Sequence, residues 1–268
     1  MIDLHSHLLP GIDDGSQDWE ESLEMARQAL KSGTTEVLIT HHILDNTHYK
    51  LEAEILAKYE ELQSRLAEAN LPLKLHLASE IYYQPDMDLA QRISTFNNNG
   101  RYFLVEFPMQ GIPRGVDDIF FDLVLNGKIP IIAHPERNFG LLKNPQRAYE
   151  FVQRGCMLQM NVGSLESKYG PGVKELAIAL LNSRLIHFVG SDGHNAQRRP
   201  MRIGQIYKTV CELWGENLAR KIFYDNPRLA LAGKEIKIPE PLPVKAVRKQ
   251  SSFNPLNLFR KLLAKSGV

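Results

Sequence analysis

Residues 1–17 read MIDLHSHLLPGIDDGSQ and join a short apolar run to a cluster of ionisable side chains. His5 and His7 stand one residue apart at the end of the run, and Asp13 and Asp14 follow within a few residues. Because side chains alternate along a β-strand, His5 and His7 would share one face of it. Imidazole and carboxylate groups are ligands for divalent metal ions. This stretch therefore predicts a buried strand that ends at a metal site.

Six more short apolar runs follow along the chain, rich in Val, Ile, Leu or Phe, as buried parallel strands are. They are TEVLITHH (35–42), LKLHLASE (73–80), RYFLVEF (101–107), IPIIAH (129–134), CMLQMN (156–161) and LIHFVGSD (185–192). Helical patterns separate them, at 16–33, 51–69 and roughly 116–126, 146–154, 173–183 and 201–214. Repeated strand–helix alternation predicts an α/β fold with a parallel sheet, and seven or eight units in about 240 residues suit a barrel.

The first helix carries end signals of its own. Asp18 is the expected N-cap residue, and Glu21 three residues later resembles a capping box. Gly33 is the expected residue just beyond the C-terminal end of the helix.

Nearly every predicted strand delivers an ionisable residue to its carboxyl end. These residues are His5, His7, Asp14, His41 or His42, Glu80, Glu106, His134, Asp192 and His194. In a parallel barrel the carboxyl ends of the strands meet at one rim, where catalytic groups gather. Crowded carboxylates would repel each other, and divalent cations would supply the missing positive charge. Nine ligands exceed what one ion needs, so two or three ions are expected.

Three neighbouring polar residues remain open to more than one interpretation. His41 and His42 cannot both point inward, and we favour His42 as the ligand. His76 shares the strand face of Glu80 and is interpreted as packing beneath the site. Asn161 follows the sixth strand, where a contact with the site and a structural hydrogen bond are both possible.

The motifs DLHSH, ASEIYY, IAHPER and GSDGHN, in this order, resemble the polymerase-and-histidinol-phosphatase (PHP) superfamily. More narrowly, MIDLHSHLLPGIDDGSQ with EIYY, LVEF and DNPRL resembles the bacterial metal-dependent protein-tyrosine phosphatases of capsule and exopolysaccharide synthesis, the CpsB/CapC type. The resemblance covers about residues 1–230 and implies a distorted seven-stranded (β/α)7 TIM-like barrel of the PHP type. It assigns residues 1–233 to the barrel and leaves 234–268 as a separate tail.

The resemblance also implies a trinuclear centre, with Mn²⁺ expected and Fe, Zn or Mg as alternatives. The first ion would take His5, His7, Glu80 and Asp192. The second would share Glu80 and add Glu106 and His134, and the third would take Asp14, His42 and His194. Catalytic roles fall to His42, His194, Arg137 of HPER and Arg199 of QRRP, the two arginines binding phosphate. Arg198 is the alternative to Arg199.

The expected activity is hydrolysis of phosphotyrosine on a cognate bacterial tyrosine kinase that regulates capsule or exopolysaccharide synthesis. The alternative is a small-molecule phosphatase of the histidinol-phosphatase type. A thiol mechanism does not fit, because the residue six positions after Cys156 is Val162, and Asn217 follows Cys211 at the same offset, where an arginine is required. A net charge of +1 argues against a nucleic-acid substrate, and a non-enzymatic scaffold that binds a partner is the remaining alternative.

The chain lacks a signal-peptide pattern and any apolar run long enough to span a membrane, so we expect a cytoplasmic protein with two free, buried cysteines. The tail 234–268 has eight basic and two acidic residues, a net charge of +6. Leu258, Phe259, Leu262 and Leu263 could form one side of a short amphipathic helix. The tail would be a poorly ordered or docked terminus, or a peripheral contact with an anionic membrane or a partner.

Overall fold

The computed structural model describes residues 1–244, and their centre is a seven-stranded parallel sheet with the strand order β1-β2-β3-β4-β5-β6-β7. The strands are β1 (Ile2–Ser6), β2 (Glu36–Ile43), β3 (Lys74–Tyr82), β4 (Tyr102–Glu106), β5 (Ile129–Ala133), β6 (Met157–Asn161) and β7 (Phe188–Gly190). Each neighbouring pair is parallel. All seven predicted strands are therefore confirmed.

Helices connect the strands as the alternation predicts. They are α1 (Trp19–Lys31), α2 (Glu52–Glu68), α3 (Val116–Leu125), α4 (Phe139–Lys143), α5 (Gln146–Gln153), α6 (Val162–Leu165), α7 (Pro171–Asn182), α8 (Gly204–Trp214), α9 (Glu216–Arg220) and α10 (Asn226–Leu231). Short 3₁₀ turns lie at Asn46–Leu51, Phe96–Asn98 and Pro135–Arg137, and a π-helical turn at Lys221–Asp225. The helix α8 begins three residues later than predicted, since Arg202 donates to the carbonyl of Pro200 in a tight turn ahead of it.

Strands β1 and β7 approach each other and nearly close the sheet into a barrel. Ser6 forms a parallel bridge with Gly193. The backbone N–H of Asp192 donates to the carbonyl of His5 at 2.8 Å, and that of His7 to Gly193 at 2.8 Å. The predicted seven-stranded barrel is confirmed.

Two apolar clusters divide the core. Leu4, Leu38, Leu104 and Phe188 belong to a cluster that fills the barrel, and a larger cluster packs the helices against its outside. Pairing between β1 and β2 slips by one residue between Asp3 and Ser6. Such a β-bulge changes which side chains face inward, so the strand contributes Ile2 and Leu4 to the interior below and His5 and His7 to the rim above.

The end signals of α1 are confirmed. Asp18 accepts a hydrogen bond from the backbone N–H of Glu21 at 2.9 Å, and Gly33 takes a φ of +89° just past the helix. Thr34 donates to Ala29 and Gly33 to Leu30, the two hydrogen bonds of a Schellman motif. The Glu21 carboxylate reaches Gln17 N–H at 3.0 Å rather than the N-cap residue itself.

Residues after α10 run along the bottom of the barrel. The Tyr102 hydroxyl donates to the Lys234 carbonyl at 2.7 Å, and Leu242 N–H donates to Ser183. The amphipathic helix predicted around Leu258 lies outside the described residues. Within residues 1–244, no helix combines the length and apolarity that a membrane crossing requires. Cys156 is buried as predicted, whereas Cys211 is half-buried because α8 lies at the surface.

Candidate metal centre

The carboxyl ends of the strands surround a cavity of about 450 Å³. Its walls combine predicted ligands with apolar residues and arginines, namely Ile12, Asp13, Asp14, His42, Leu44, His48, Glu80, Tyr82, Glu106, His134, Arg137, Asp192, His194 and Arg199. His5 and His7 lie fully buried beneath it, in contact with Glu80. The strand ends thus bring all nine predicted ligands to one place, as the barrel geometry requires.

His5, His7, Glu80 and Asp192 form the deepest group. The Nε2 atoms of His5 and His7 lie 3.2 Å apart. Glu80 Oε2 lies 3.0 Å from the first and 3.4 Å from the second, and Asp192 Oδ1 lies 3.5 Å from both. Four ligand atoms from strands β1, β3 and the end of β7 therefore face a common point.

Two further groups extend from this one. Glu80 Oε1 lies 3.0 Å from His134 Nε2, which is 3.5 Å from Glu106 Oε1. Asp14 Oδ1 lies 3.5 Å from His42 Nε2 and 3.4 Å from His194 Nε2, at the open side of the cavity. The two oxygens of Glu80 point to different groups, which is the arrangement of a bridging carboxylate.

The donor geometry fits divalent ions. Ligand atoms about 2.1 Å from an ion lie about 3.0 Å apart in an octahedron and about 3.4 Å apart in a tetrahedron. The separations of 3.0–3.5 Å among His5, His7, Glu80 and Asp192 match this range. His42 Nδ1 is buried without a hydrogen-bond partner and lies 3.3 Å from Glu80 Oε2. The donor set, imidazole and carboxylate without thiolate, suits Mn, Fe, Zn or Mg.

The electrostatics of the rim also favour added positive charge. Burial and then the nearby Glu80 carboxylate raise the pKa of Glu106. Burial alone would raise the pKa of Glu80, but the charge of His5 and hydrogen bonds from His134 outweigh it and hold that pKa well below its usual range. Burial and then the neighbouring His7 lower the pKa of His194 to about 3.

Two arginines border the ligands on the side of β5 and β7. Arg137 Nη1 donates to Asp192 Oδ2 at 2.7 Å, and Arg199 Nη2 lies 2.5 Å from the same oxygen. Arg137 also stacks over the ring of Tyr169, 4.4 Å from its centroid. Arg198 is exposed and does not line the cavity. The geometry therefore favours Arg199 over Arg198 as the second anion-binding arginine.

Three supporting residues hold the ligands in place. Asp13 Oδ2 accepts from His7 Nδ1 at 2.7 Å and from the His42 backbone N–H at 3.0 Å. Gln159 Oε1 lies 2.9 Å from His5 Nδ1, and Asn161 Nδ2 donates to Asp192 Oδ2 at 2.6 Å. From the sequence alone, Asp13 belongs to the opening cluster without a role, Gln159 is not considered and Asn161 stays undecided. A signal existed for Asp13, since a ligating histidine needs a partner for its second nitrogen, and a carboxylate often fills that role.

The backbone is shaped around the ligands at two strand ends. His134 and Asp192 take positive φ angles of 31° and 53°. Such conformations cost of order 1–3 kcal/mol for a residue other than glycine and cluster at functional sites. Gly190 allows β7 to approach β1, because a Cβ there would lie 2.5 Å from that of His5. The positive φ angle at Asp192 also explains why β7 ends at Gly190 and not at residue 192, where the sequence predicted its end.

The positions of His41, His42 and His76 on their strands decide which of them can reach the cavity. His41 is buried against Ser79 Oγ at 3.1 Å, outside the cavity, and burial lowers its pKa to about 4. His42 lines the cavity instead. His76 lies lower on β3, where its Nε2 meets Glu36 at 2.8 Å, so it packs beneath the site.

The chain is similar to known proteins over most of its length. Residues 1–232 match the family described as capsular polysaccharide synthesis, CpsB/CapC. The tyrosine-protein phosphatase YwqE of Bacillus subtilis (strain 168) is 35% identical over 247 residues, which are 91% of this chain and 97% of that protein. The tyrosine-protein phosphatase CpsB of Streptococcus pneumoniae is 30% identical and covers 85% of this chain and 97% of its own.

Solved structures agree with this similarity. A chain from the crystal structures of YwqE from Bacillus subtilis and CpsB from Streptococcus pneumoniae, described as metal-dependent tyrosine phosphatases, matches with a TM-score of 0.85 and 36% identity. The match covers 92% of this chain and 100% of that chain. The lactonase Lmo2620 from Listeria monocytogenes matches with a TM-score of 0.51 and 11% identity, which shows a common fold alone.

Proposed function

We propose that this chain is a metal-dependent phosphatase that removes phosphate from phosphotyrosine on proteins. The chain belongs to the CpsB/CapC family of capsular polysaccharide synthesis. The resemblance drawn from the sequence motifs is confirmed. One observation on this chain supports the proposal. Histidines, carboxylates and two arginines from six strand ends border one cavity at ligand-to-ligand distances.

The metal complement that we propose is three divalent ions, with Mn²⁺ as the first candidate. His5, His7, Glu80 and Asp192 would hold one. Glu80, Glu106 and His134 would hold the second, and Asp14, His42 and His194 the third. Divalent ions held there would supply Lewis acidity, which lowers the pKa of water so that it can lose a proton near neutral pH and provide hydroxide as the nucleophile.

The chain's own groups position the substrate. Arg137 and Arg199 would exchange part of their contact with Asp192 for the phosphate oxygens, since a guanidinium group matches a phosphate with two parallel hydrogen bonds. Asn161 would keep Asp192 in place during this exchange. His42 and His194 flank Asp14 at the open side, where a leaving phenolate would depart.

The substrate partner that we propose is the phosphorylated tail of a cognate bacterial tyrosine kinase in capsule or exopolysaccharide synthesis. A flexible tail can reach the ligands because the cavity opens to solvent, as the exposed Asp14 and Leu44 at its edge indicate. The +6 tail of this chain is a candidate contact with the kinase or with an anionic membrane surface.

The test pairs metal content with turnover. Freshly purified chain should contain divalent ions and hydrolyse a phosphotyrosine peptide, while Glu80→Gln should abolish turnover and lower the metal content. Histidinol phosphate is the comparison substrate, and turnover of histidinol phosphate alone would overturn the proposal. Cleavage of single-stranded DNA with Mn²⁺, or inactivity with every divalent ion despite kinase binding, would point to the nuclease or the scaffold alternative.

A further inference from the structure

An apolar layer lies directly above the ligands on β2 and β3. Leu44 comes two residues after His42, and Tyr82 comes two residues after Glu80. Tyr82 is the last residue of β3, and because side chains alternate along a strand, it shares the face of Glu80 and stands one step nearer the opening. Leu44 directly follows Ile43, the last residue of β2. His42 and Glu80 are register partners, so Leu44 and Tyr82 leave from neighbouring points. Both line the cavity.

The layer lies within reach of the ring of an aryl phosphate bound at the ligands. Two residues along a strand span about 6.6 Å. The phosphorus of an aryl phosphate and the centre of its ring are separated by the ester oxygen and half of the ring, which is shorter than this step. A phosphate bound at the level of Glu80 would therefore place the attached ring beside Leu44 and Tyr82.

The strand ends contribute two kinds of side chain to the cavity wall besides the ligands. Arg137 and Arg199 come from the ends of β5 and β7, whereas Leu44, Tyr82 and Ile12 come from the ends of β1 to β3. The cavity wall thus carries arginines after β5 and β7, and apolar side chains after β1, β2 and β3, where Asp13 and Asp14 also lie. Leu44 keeps 49% of its surface exposed. A large apolar side chain at the edge of a polar cavity gains free energy when a ligand covers it.

We propose that Leu44 and Tyr82, with Ile12 of the same cavity wall, bind the phenyl ring of the substrate and select aryl over alkyl phosphate monoesters. This inference rests on the proposed phosphatase function and adds the residues that determine its specificity. A phosphoserine side chain bound at the same ligands presents little apolar surface at this height and leaves Leu44 in water. The selectivity would therefore come from contacts made by the ring.

The experiment compares a phosphotyrosine peptide with the same peptide carrying phosphoserine. Leu44→Ala should reduce the ratio of kcat/KM for the two peptides about tenfold, mainly through a higher KM for the aryl substrate. Leu44→Met should restore most of the preference, because it keeps an apolar side chain of similar volume. Competition by phenylphosphonate and methylphosphonate gives a binding readout that does not depend on turnover.

Leu213→Ala is the matched control, since Leu213 is 65% exposed on α8 and outside the cavity. It should leave the ratio unchanged. Equal turnover of both peptides by the wild-type chain, or identical ratios in Leu44→Ala and Leu213→Ala, would overturn the inference while the phosphatase function stands. A metal-replete wild-type chain that hydrolyses neither peptide would instead overturn the proposed function.

Discussion

Asp192 uses its two oxygens for different tasks. Oδ2 receives Arg137, Arg199 and Asn161 at 2.5–2.7 Å. Oδ1 faces His5 and His7 at 3.5 Å. Burial alone would raise the pKa of this carboxyl group, but the charge of His5 and the hydrogen bond from His7 hold it well below the usual range. One ionised side chain therefore joins the group of candidate ligands to the two arginines.

Arg199 offers a residue-scale prediction with a neighbour as its control. Arg199→Lys should raise the barrier of phosphotyrosine hydrolysis by about 2–4 kcal/mol, since lysine lacks the planar pair of donors that fits a phosphate. Arg198→Lys changes an exposed side chain outside the cavity and should leave kcat/KM unchanged. Steady-state kinetics on both variants make the comparison. If Arg198→Lys were the slower enzyme, the assignment of Arg199 would be wrong.

At the scale of elements, the loop between β1 and α1 organises two ligand groups at once. Asp13 binds His7 and the backbone of His42, and its Oδ1 accepts from Gly15 N–H at 2.9 Å. Asp14, the next residue, points into the cavity. The tight turn at Gly15 has no room for a side chain, because a Cβ there would lie 2.3 Å from the His7 carbonyl oxygen.

Asp13→Asn should weaken metal binding about 10- to 100-fold, as loss of an orienting carboxylate behind a ligating histidine does. Metal titration of the stripped chain measures this effect directly. Asp18→Ala is the control in the same loop. It removes the N-cap of α1 and should cost about 1 kcal/mol of stability without changing metal affinity. Equal metal affinity in both variants would show that Asp13 does not orient the ligands.

The elements were predictable because their signals are local. The strands follow from short apolar runs, and the ends of α1 follow from Asp18 and Gly33, whose hydrogen bonds reach residues a few positions away. Residues such as Gln159 were not predictable, because its contact with His5 depends on the β5-β6-β7-β1 arrangement across the barrel. The apolar layer of Leu44 and Tyr82 was not predictable either, because it depends on the register between β2 and β3.

At the scale of the whole molecule, stability should fall as the pH is lowered through the histidine range. His187 is buried, and its Nδ1 accepts from the Leu158 N–H at 3.1 Å. Burial lowers its pKa from 6.5 to about 4. Below about pH 6.5 the unfolded chain therefore binds a proton at His187, whereas the folded chain binds it only near pH 4.

We expect this one group to remove about 2–3 kcal/mol of unfolding free energy as the pH falls from 6.5 to 4, with full stability above 6.5. His187→Asn keeps an acceptor near the Nδ1 position and does not titrate. Urea unfolding across this pH range should therefore show a smaller loss in His187→Asn than in the wild type. His41, also with a lowered pKa, contributes equally to both chains. Parallel curves for the two chains would contradict the assignment to His187.

The rim couples metal binding to the stability of the entire barrel, because its ligands come from strands β1, β2, β3 and β4 and from the ends of β5 and β7. Five carboxylates, those of Asp13, Asp14, Glu80, Glu106 and Asp192, line the cavity with two arginines. The unfolded chain separates these groups, so ions bind the folded state preferentially. An ion at 100 times its dissociation constant stabilises the folded state by about 2.7 kcal/mol. For a chain of this size, that corresponds to a rise of about 5–10 °C in Tm.

Removal of the ions by a chelator should therefore lower Tm by about 5–10 °C for each ion lost and abolish turnover, and Mn²⁺ added in excess should restore both. Differential scanning calorimetry and phosphotyrosine turnover on the same samples measure the two effects. Glu80→Gln is the control, since loss of the carboxylate shared by two ligand groups should leave little for the chelator to remove. A chelator that changes neither Tm nor turnover of the wild type would refute the metal centre, because the same ions are expected to hold the strand ends together and to activate water.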